Sequence, residues 1–185
     1  MTRIWFPEAC DIYDDPTSGA RVRQLTCSAE ANMNIYHEQP YASADGGRLA
    51  LIRSKDFSFD PTVKLVVADV RSLKVALLDP AACLGFSVAA WRGNVFYWNA
   101  HRELVRASVD TLQREVVYRE TDPDAALGMG SVSPDFHYVA QHQLEPDGTG
   151  AVALFDLESG KRTTIRTFDC WVKHTQFDAY SGELL

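Results

Sequence analysis

Five histidines are the side chains of this sequence best suited to moving a proton, and two of them, His37 and His174, fall at matching places in an internal repeat. Aligning that repeat on Leu49 and Leu184 puts His174 within two residues of His37 and level with Gln39; the corresponding points of the intervening units fall near Gly85 and Gly128. Two imidazoles and two glycines around one rim leave room for a ligand and polar groups to hold it. An imidazole titrates near neutrality, so it can act as a general base or acid at working pH. Lys173, Arg53 and His37 could hold an anion by charge-assisted hydrogen bonds. Ordinary inner-strand bonding of the two histidines, and surface exposure of the cations, remain open alternatives.

The other candidate groups have simpler readings. His101 sits in the turn Asn99-Ala100-His101-Arg102. His137 and His142 are an odd number of residues apart on an expected strand, which sends them to opposite faces and excludes a shared metal site. The acids Asp14-Asp15, Asp122/Asp124 and Glu145/Asp147 flank Pro or Gly and fit solvated turns. Cys10, Cys27, Cys83 and Cys170 are widely spaced, without a C-x-x-C pair, and are expected to be buried reduced thiols. The aromatics Trp91, Phe96, Tyr97 and Trp98 are expected to pack between structural units. No G-x-S-x-G, phosphate loop, H-E-x-x-H or dinucleotide fingerprint is present.

The elements that must position these groups are strands. Asp45-Gly46-Gly47-Arg48 precedes the apolar run Leu49-Ala50-Leu51-Ile52, and related turn signals recur at Gly93, Asp135 and Gly182. A second signal runs in step: Asp69-Val70-Arg71-Ser72, Asp110-Thr111-Leu112-Gln113 and Asp156-Leu157-Glu158-Ser159-Gly160. Two turn signals sharing a period of about 40 to 50 residues, with strand patterns between them, predict the four-stranded antiparallel blades of an all-β propeller. The expected blades are 21–80, 81–120, 125–168 and an incomplete 169–185, within one domain over 1–185. Arg21–Thr26 is expected as an outer strand entering the first blade, Tyr36–Ala42 as its inner strand, and Val63–Asp69 as a strand buried on both faces. Three and a half blades cannot close a ring, so the chain is expected to be part of a seven-bladed propeller, completed by the remainder of the propeller or a homo-oligomer.

A formal charge of −7 over 185 residues, with no clustered Lys/Arg run, gives no electrostatic footprint for nucleic acid or an anionic membrane. No apolar stretch approaches the roughly 18 residues of a transmembrane helix, and the first residues show no signal-peptide core. A cytoplasmic protein is therefore expected.

The segment Asp15-Pro16-Thr17-Ser18-Gly19-Ala20-Arg21-Val22-Arg23-Gln24-Leu25-Thr26, then Asn34-Ile35-Tyr36 and Ser43-Ala44-Asp45-Gly46-Gly47-Arg48-Leu49, resembles the amino-terminal blades of oligogalacturonate lyases. The likeness continues through Gly128-Met129-Gly130-Ser131-Val132-Ser133-Pro134-Asp135, and Val172-Lys173-His174 falls where that family carries a Gly-His-Pro motif. Here Lys173 and Thr175 stand in place of the Gly and Pro. The resemblance implies a seven-bladed propeller performing metal-assisted β-elimination on oligogalacturonides, with His174 as the base and an acidic oligosaccharide as partner. It implies a divalent metal, manganese or similar, with ligands beyond Leu185. His37, Gln39, Arg53 and Lys173 are the expected substrate-binding residues. Two other functions fit the same repeat: a non-catalytic Tol-like propeller that binds a protein, and a different carbohydrate-active propeller.

Overall fold

The computed structural model describes residues 4–8, 11–37, 39–56, 62–83, 85–125, 127–144 and 147–185. Cys10, Glu145 and the end of the polar stretch after Ser54 lie outside them. Every regular element among the described residues is a strand: β1 (Trp5–Pro7), β2 (Ile12–Asp14), β3 (Arg21–Arg23), β4 (Ala31–Asn34), β5 (Arg48–Ser54), β6 (Thr62–Asp69) and β7 (Lys74–Cys83) come first. They are followed by β8 (Asn94–Trp98), β9 (Glu103–Ser108), β10 (Arg114–Arg119), β11 (Gly130–Val132), β12 (Tyr138–Leu144), β13 (Gly150–Asp156) and β14 (Lys161–Phe168). No helix among the described residues is long and apolar enough to cross a membrane.

The strands form successive antiparallel blades of an all-β propeller fold. The first sheet runs β1-β7-β6-β5-β4, the second β10-β9-β8 and the third β11-β12-β13-β14. In the second, the inner strand is reduced to the bridge Ser87↔Phe96. A fourth unit begins with the bridge Phe177↔Leu184. The inner rims are also joined directly, since Gly130 N donates to Phe86 O (3.3 Å) and Val132 N to Val88 O (3.0 Å).

The turn signals are hydrogen-bonding devices. Asp69, Asp156 and Asp178 each accept two backbone N–H groups of the turn that follows, at 2.6 to 3.0 Å. The pattern Asp-x-x-Ser-Gly recurs at Asp15, Asp156 and Asp178, with Gly19, Gly160 and Gly182 in the left-handed region that glycine adopts without cost. In the second blade the residue doing this work is Ser108, whose hydroxyl accepts from Thr111 N (3.0 Å), and not Asp110 two residues on. A serine hydroxyl replaces the carboxylate there, which hides the register from a search for aspartate.

Packing between blades is set by period-two alternation. β8 is buried along its whole length. Val95 and Tyr97 pack into a cluster with Leu65, Val67 and Leu78 of the first blade, while Phe96 and Trp98 pack with Val139, Ala153 and Phe155 of the third. Trp98 meets Phe155 edge-on at 5.7 Å and Tyr118 at 6.1 Å, the geometry aromatic quadrupoles prefer. Inter-blade packing thus accounts for Phe96, Tyr97 and Trp98. Trp91 is 54% exposed in the turn between inner and second strands, with a positive φ of 58°.

Four further expectations change. Arg21–Arg23 pairs with β2 in a separate two-stranded ribbon, and β1 takes the outermost place in the first sheet. His137 lies in the turn before β12, near Asp135, and not on the strand. Cys27, Cys83 and Cys170 are free thiols, but Cys27 and Cys170 are exposed. The inner strand of the first blade also departs from Tyr36–Ala42. Between the pairs Asn34↔Leu51 and Ala42↔Leu49 it spends eight residues where its partner spends two. The surplus loops out of the sheet, and Pro40, which has no N–H to give a ladder, lies within it.

Candidate functional site

That loop builds one side of a cavity of about 330 Å³, lined by Tyr36, Gln39, Met129, Gly130, His142, Trp171, Lys173, His174, Thr175 and Gln176. Four pieces of chain converge there: the loop after β4, the inner strand of the third blade, its second strand β12, and the segment leading into the fourth unit. Their approach is close. A Cβ on Gly130 would stand 2.0 Å from Ala140 O, so only glycine lets the inner strand lie this near β12.

Gln39, Met129 and His174 are level with one another in the repeat, and all three line the cavity. The position from the third blade is thus Met129, one residue past Gly128. Gly85 is not among the lining residues. Gln39 accepts a long hydrogen bond from Tyr41 Oη (3.4 Å) at its Oε1, which leaves its amide N–H groups as donors. Tyr41 is buried, and that burial, with Tyr36 nearby, pushes its phenol well above the ordinary range, so it stays a neutral donor.

His174 and Tyr36 form the centre of the site. Tyr36 Oη and His174 Nδ1 share a short hydrogen bond, with ring centroids 5.9 Å apart. His174 holds a left-handed backbone with φ of 64°, a conformation that histidine visits more readily than most residues but that still stores strain. Lys173 Nζ sits 3.6 Å from the centre of the Trp171 ring, a cation–π contact that fixes its charge beside the cavity. Thr175 Oγ1 and His142 Nδ1 are buried atoms without a hydrogen-bond partner among the described residues. The pKa of His142 is lowered, first by burial and then by the charges of His174 and Lys173.

Of the residues predicted from sequence, His174, Lys173 and Gln39 meet in this cavity. His37 stands just outside it, its ring 4.9 Å from that of Tyr36. Arg53 does not reach it: on β5 its guanidinium bonds Glu8 (2.6 Å) and Asn32 Oδ1 (2.7 Å), an ion pair largely removed from solvent. Tyr36 and His142 were missed. Tyr36 belongs to the stretch expected as plain inner strand, and His142 lies on β12 beside the close approach of Gly128 and Gly130 to that strand. Among the described residues no three His, Cys, Asp or Glu cluster to hold a metal ion.

At the level of sequence no protein family model and no curated protein matches the chain. Solved structures do. An oligogalacturonate lyase in complex with manganese superposes with a TM-score of 0.75 at 20% identity, covering 97% of this chain and 52% of the other. The chain has the fold of an oligogalacturonate lyase propeller. A second such structure, from Vibrio parahaemolyticus, gives a TM-score of 0.74 at 15% identity, covering 96% of this chain and 51% of its own. The chain therefore spans about half the length of the lyases it resembles, and the likeness, at this identity, is one of fold.

Proposed function

We propose that the cavity binds a uronic-acid oligosaccharide of the oligogalacturonide class, and that His174 is the base of a β-elimination. The observation that carries this reading is the Tyr36–His174 hydrogen bond inside a cavity that also holds the Lys173 cation. When His174 Nδ1–H donates to Tyr36 Oη, Nε2 keeps its lone pair and can accept a proton. That proton comes from the carbon α to the uronate carboxylate. The electron pair it leaves forms a double bond to the neighbouring carbon, whose bond to the glycosidic oxygen breaks, and water protonates the departing oxygen.

Lys173 supplies a positive charge for the uronate carboxylate, and the Gln39 amide supplies further donors. A divalent cation would help neutralise that carboxylate, as the manganese of one matched lyase suggests. The described residues alone do not make a centre for it, and no residue of this chain is assigned to it.

Turnover of digalacturonate with manganese, followed by the ultraviolet absorbance of the unsaturated uronate, tests the reading on the whole protein. The His174→Ala variant should lose roughly 100-fold or more of the wild-type rate, the usual contribution of a positioned base. Equal rates would remove His174 from the mechanism, and absence of any unsaturated product from wild type would remove the lyase reading itself.

A further inference from the structure

The cavity holds a second imidazole whose surroundings differ from those of His174. His142 projects from β12 with its ring half-buried, and it lines the cavity. Its Nδ1 is enclosed and has no hydrogen-bond partner among the described residues. The edge of the ring that carries Nε2 is therefore the part left for the cavity.

Burial, and beside it the cation of Lys173, disfavour the imidazolium of His142, and in its neutral form the ring has one donor nitrogen and one acceptor nitrogen. A buried N–H without an acceptor is rarer and costlier than a bare acceptor. The single proton therefore sits on Nε2. The two histidines of the cavity then have complementary tautomers. His174, with Nδ1–H given to Tyr36, presents a lone pair. His142, with Nδ1 bare and enclosed, presents a donor.

We propose that His142 is a substrate-holding residue, donating Nε2–H to a carboxylate or hydroxyl oxygen of the uronide and so fixing which face of the sugar meets His174. This rests on the uronide reading above. Buried Thr175 Oγ1, also without a hydrogen-bond partner among the described residues, is a second neutral polar atom of the cavity lining. The site is thus asymmetric: cationic at Lys173, neutral and hydrogen-bonding at His142. A ligand that combines a carboxylate with hydroxyls satisfies both sides, whereas a neutral sugar satisfies only one.

The test compares wild type with His142→Gln, which keeps a side-chain N–H donor, and His142→Phe, which keeps a planar ring without one. Digalacturonate binding is measured by calorimetry, with thermal unfolding as the check on folding. Nitrogen NMR of the imidazole reads the tautomer directly in unaltered protein. The proposal expects a protonated Nε2 on His142, a Kd raised roughly 10-fold or more by His142→Phe, the usual effect of losing a hydrogen bond to a charged group, and substantial recovery in His142→Gln. A proton found on Nδ1, or a His142→Phe variant that binds like wild type, overturns the proposal while leaving the uronide reading intact. Wild-type protein that does not bind digalacturonate overturns both. Should His142→Phe fail to fold, the tautomer and the His142→Gln affinity still decide.

Discussion

Replacing Tyr36 by Phe removes one oxygen atom and isolates what the Tyr36–His174 bond does. The ring itself stays, so its packing 4.9 Å from the His37 ring is retained. A hydrogen bond between neutral partners contributes about 1 kcal/mol net, and one to a charged group about 1.5–3 kcal/mol. In the proposed elimination, with the Nδ1 proton on His174, the Tyr36 oxygen would accept from a neutral imidazole before proton abstraction and from an imidazolium afterwards, so its benefit would grow along the reaction. His174 is exposed and Tyr36 only partly buried, so solvent screening places the gain at the low end. A differential of about 1 kcal/mol corresponds to roughly a 5-fold fall in turnover. The bond also offsets the left-handed backbone of His174, which costs about 1 kcal/mol. Steady-state kinetics on digalacturonate should therefore show kcat reduced roughly 5-fold in Tyr36→Phe with KM little changed. An unchanged kcat, or a loss confined to KM, would refute the assignment of His174 as the base steadied by Tyr36.

Three further outcomes follow from the scaffold. The Asp45 carboxyl is held down to about 2 from an ordinary 3.8, first by Ser43 Oγ–H and the Gly47 N–H and then by Arg71. Since the folded state binds this proton less readily than the unfolded chain, its contribution is present above about pH 4 and is lost as pH falls toward 2; urea midpoints should show Asp45→Asn flattening that acid limb. Gly130→Ala places a Cβ 2.0 Å from Ala140 O and should lower Tm sharply by forcing β11 off β12. Gly148→Ala, with φ of 86° and nothing within 4 Å, should cost only about 1 kcal/mol for its backbone.

What the sequence made legible was local. An Asp-x-x-Ser-Gly turn closes on itself through its own amides, so Asp15, Asp156 and Asp178 announce their turns without reference to the rest of the chain. Alternation in Val95-Phe96-Tyr97-Trp98 likewise states which residues face which neighbour. From these the register followed closely enough to set Gln39 and His174 level, and both line the cavity. The loop carrying Tyr36 was hidden because its surplus length is defined only against the pairing of β4 with β5. Arg53 was misplaced because its partner Glu8 lies 45 residues away in sequence. His142 was set aside because strand alternation ranks faces but does not reveal which face a neighbouring inner strand leaves open.

The burial of β8 on both sides has a consequence for how the chain comes to be folded. During synthesis Val95 and Tyr97 can dock as soon as they emerge, because Leu65, Val67 and Leu78 have already been made. Phe96 and Trp98 meet Leu104 and Tyr118 of their own blade early, but the third-blade side of their cluster, Val139, Ala153 and Phe155, follows at least 41 residues later in the sequence. Throughout that interval the growing chain carries two large aromatic side chains covered only by neighbours of their own blade such as Leu104 and Tyr118, a sticky surface of the kind that recruits chaperones or other nascent chains. The second blade is thus finished from outside itself, and its completion marks the moment at which the third is in place.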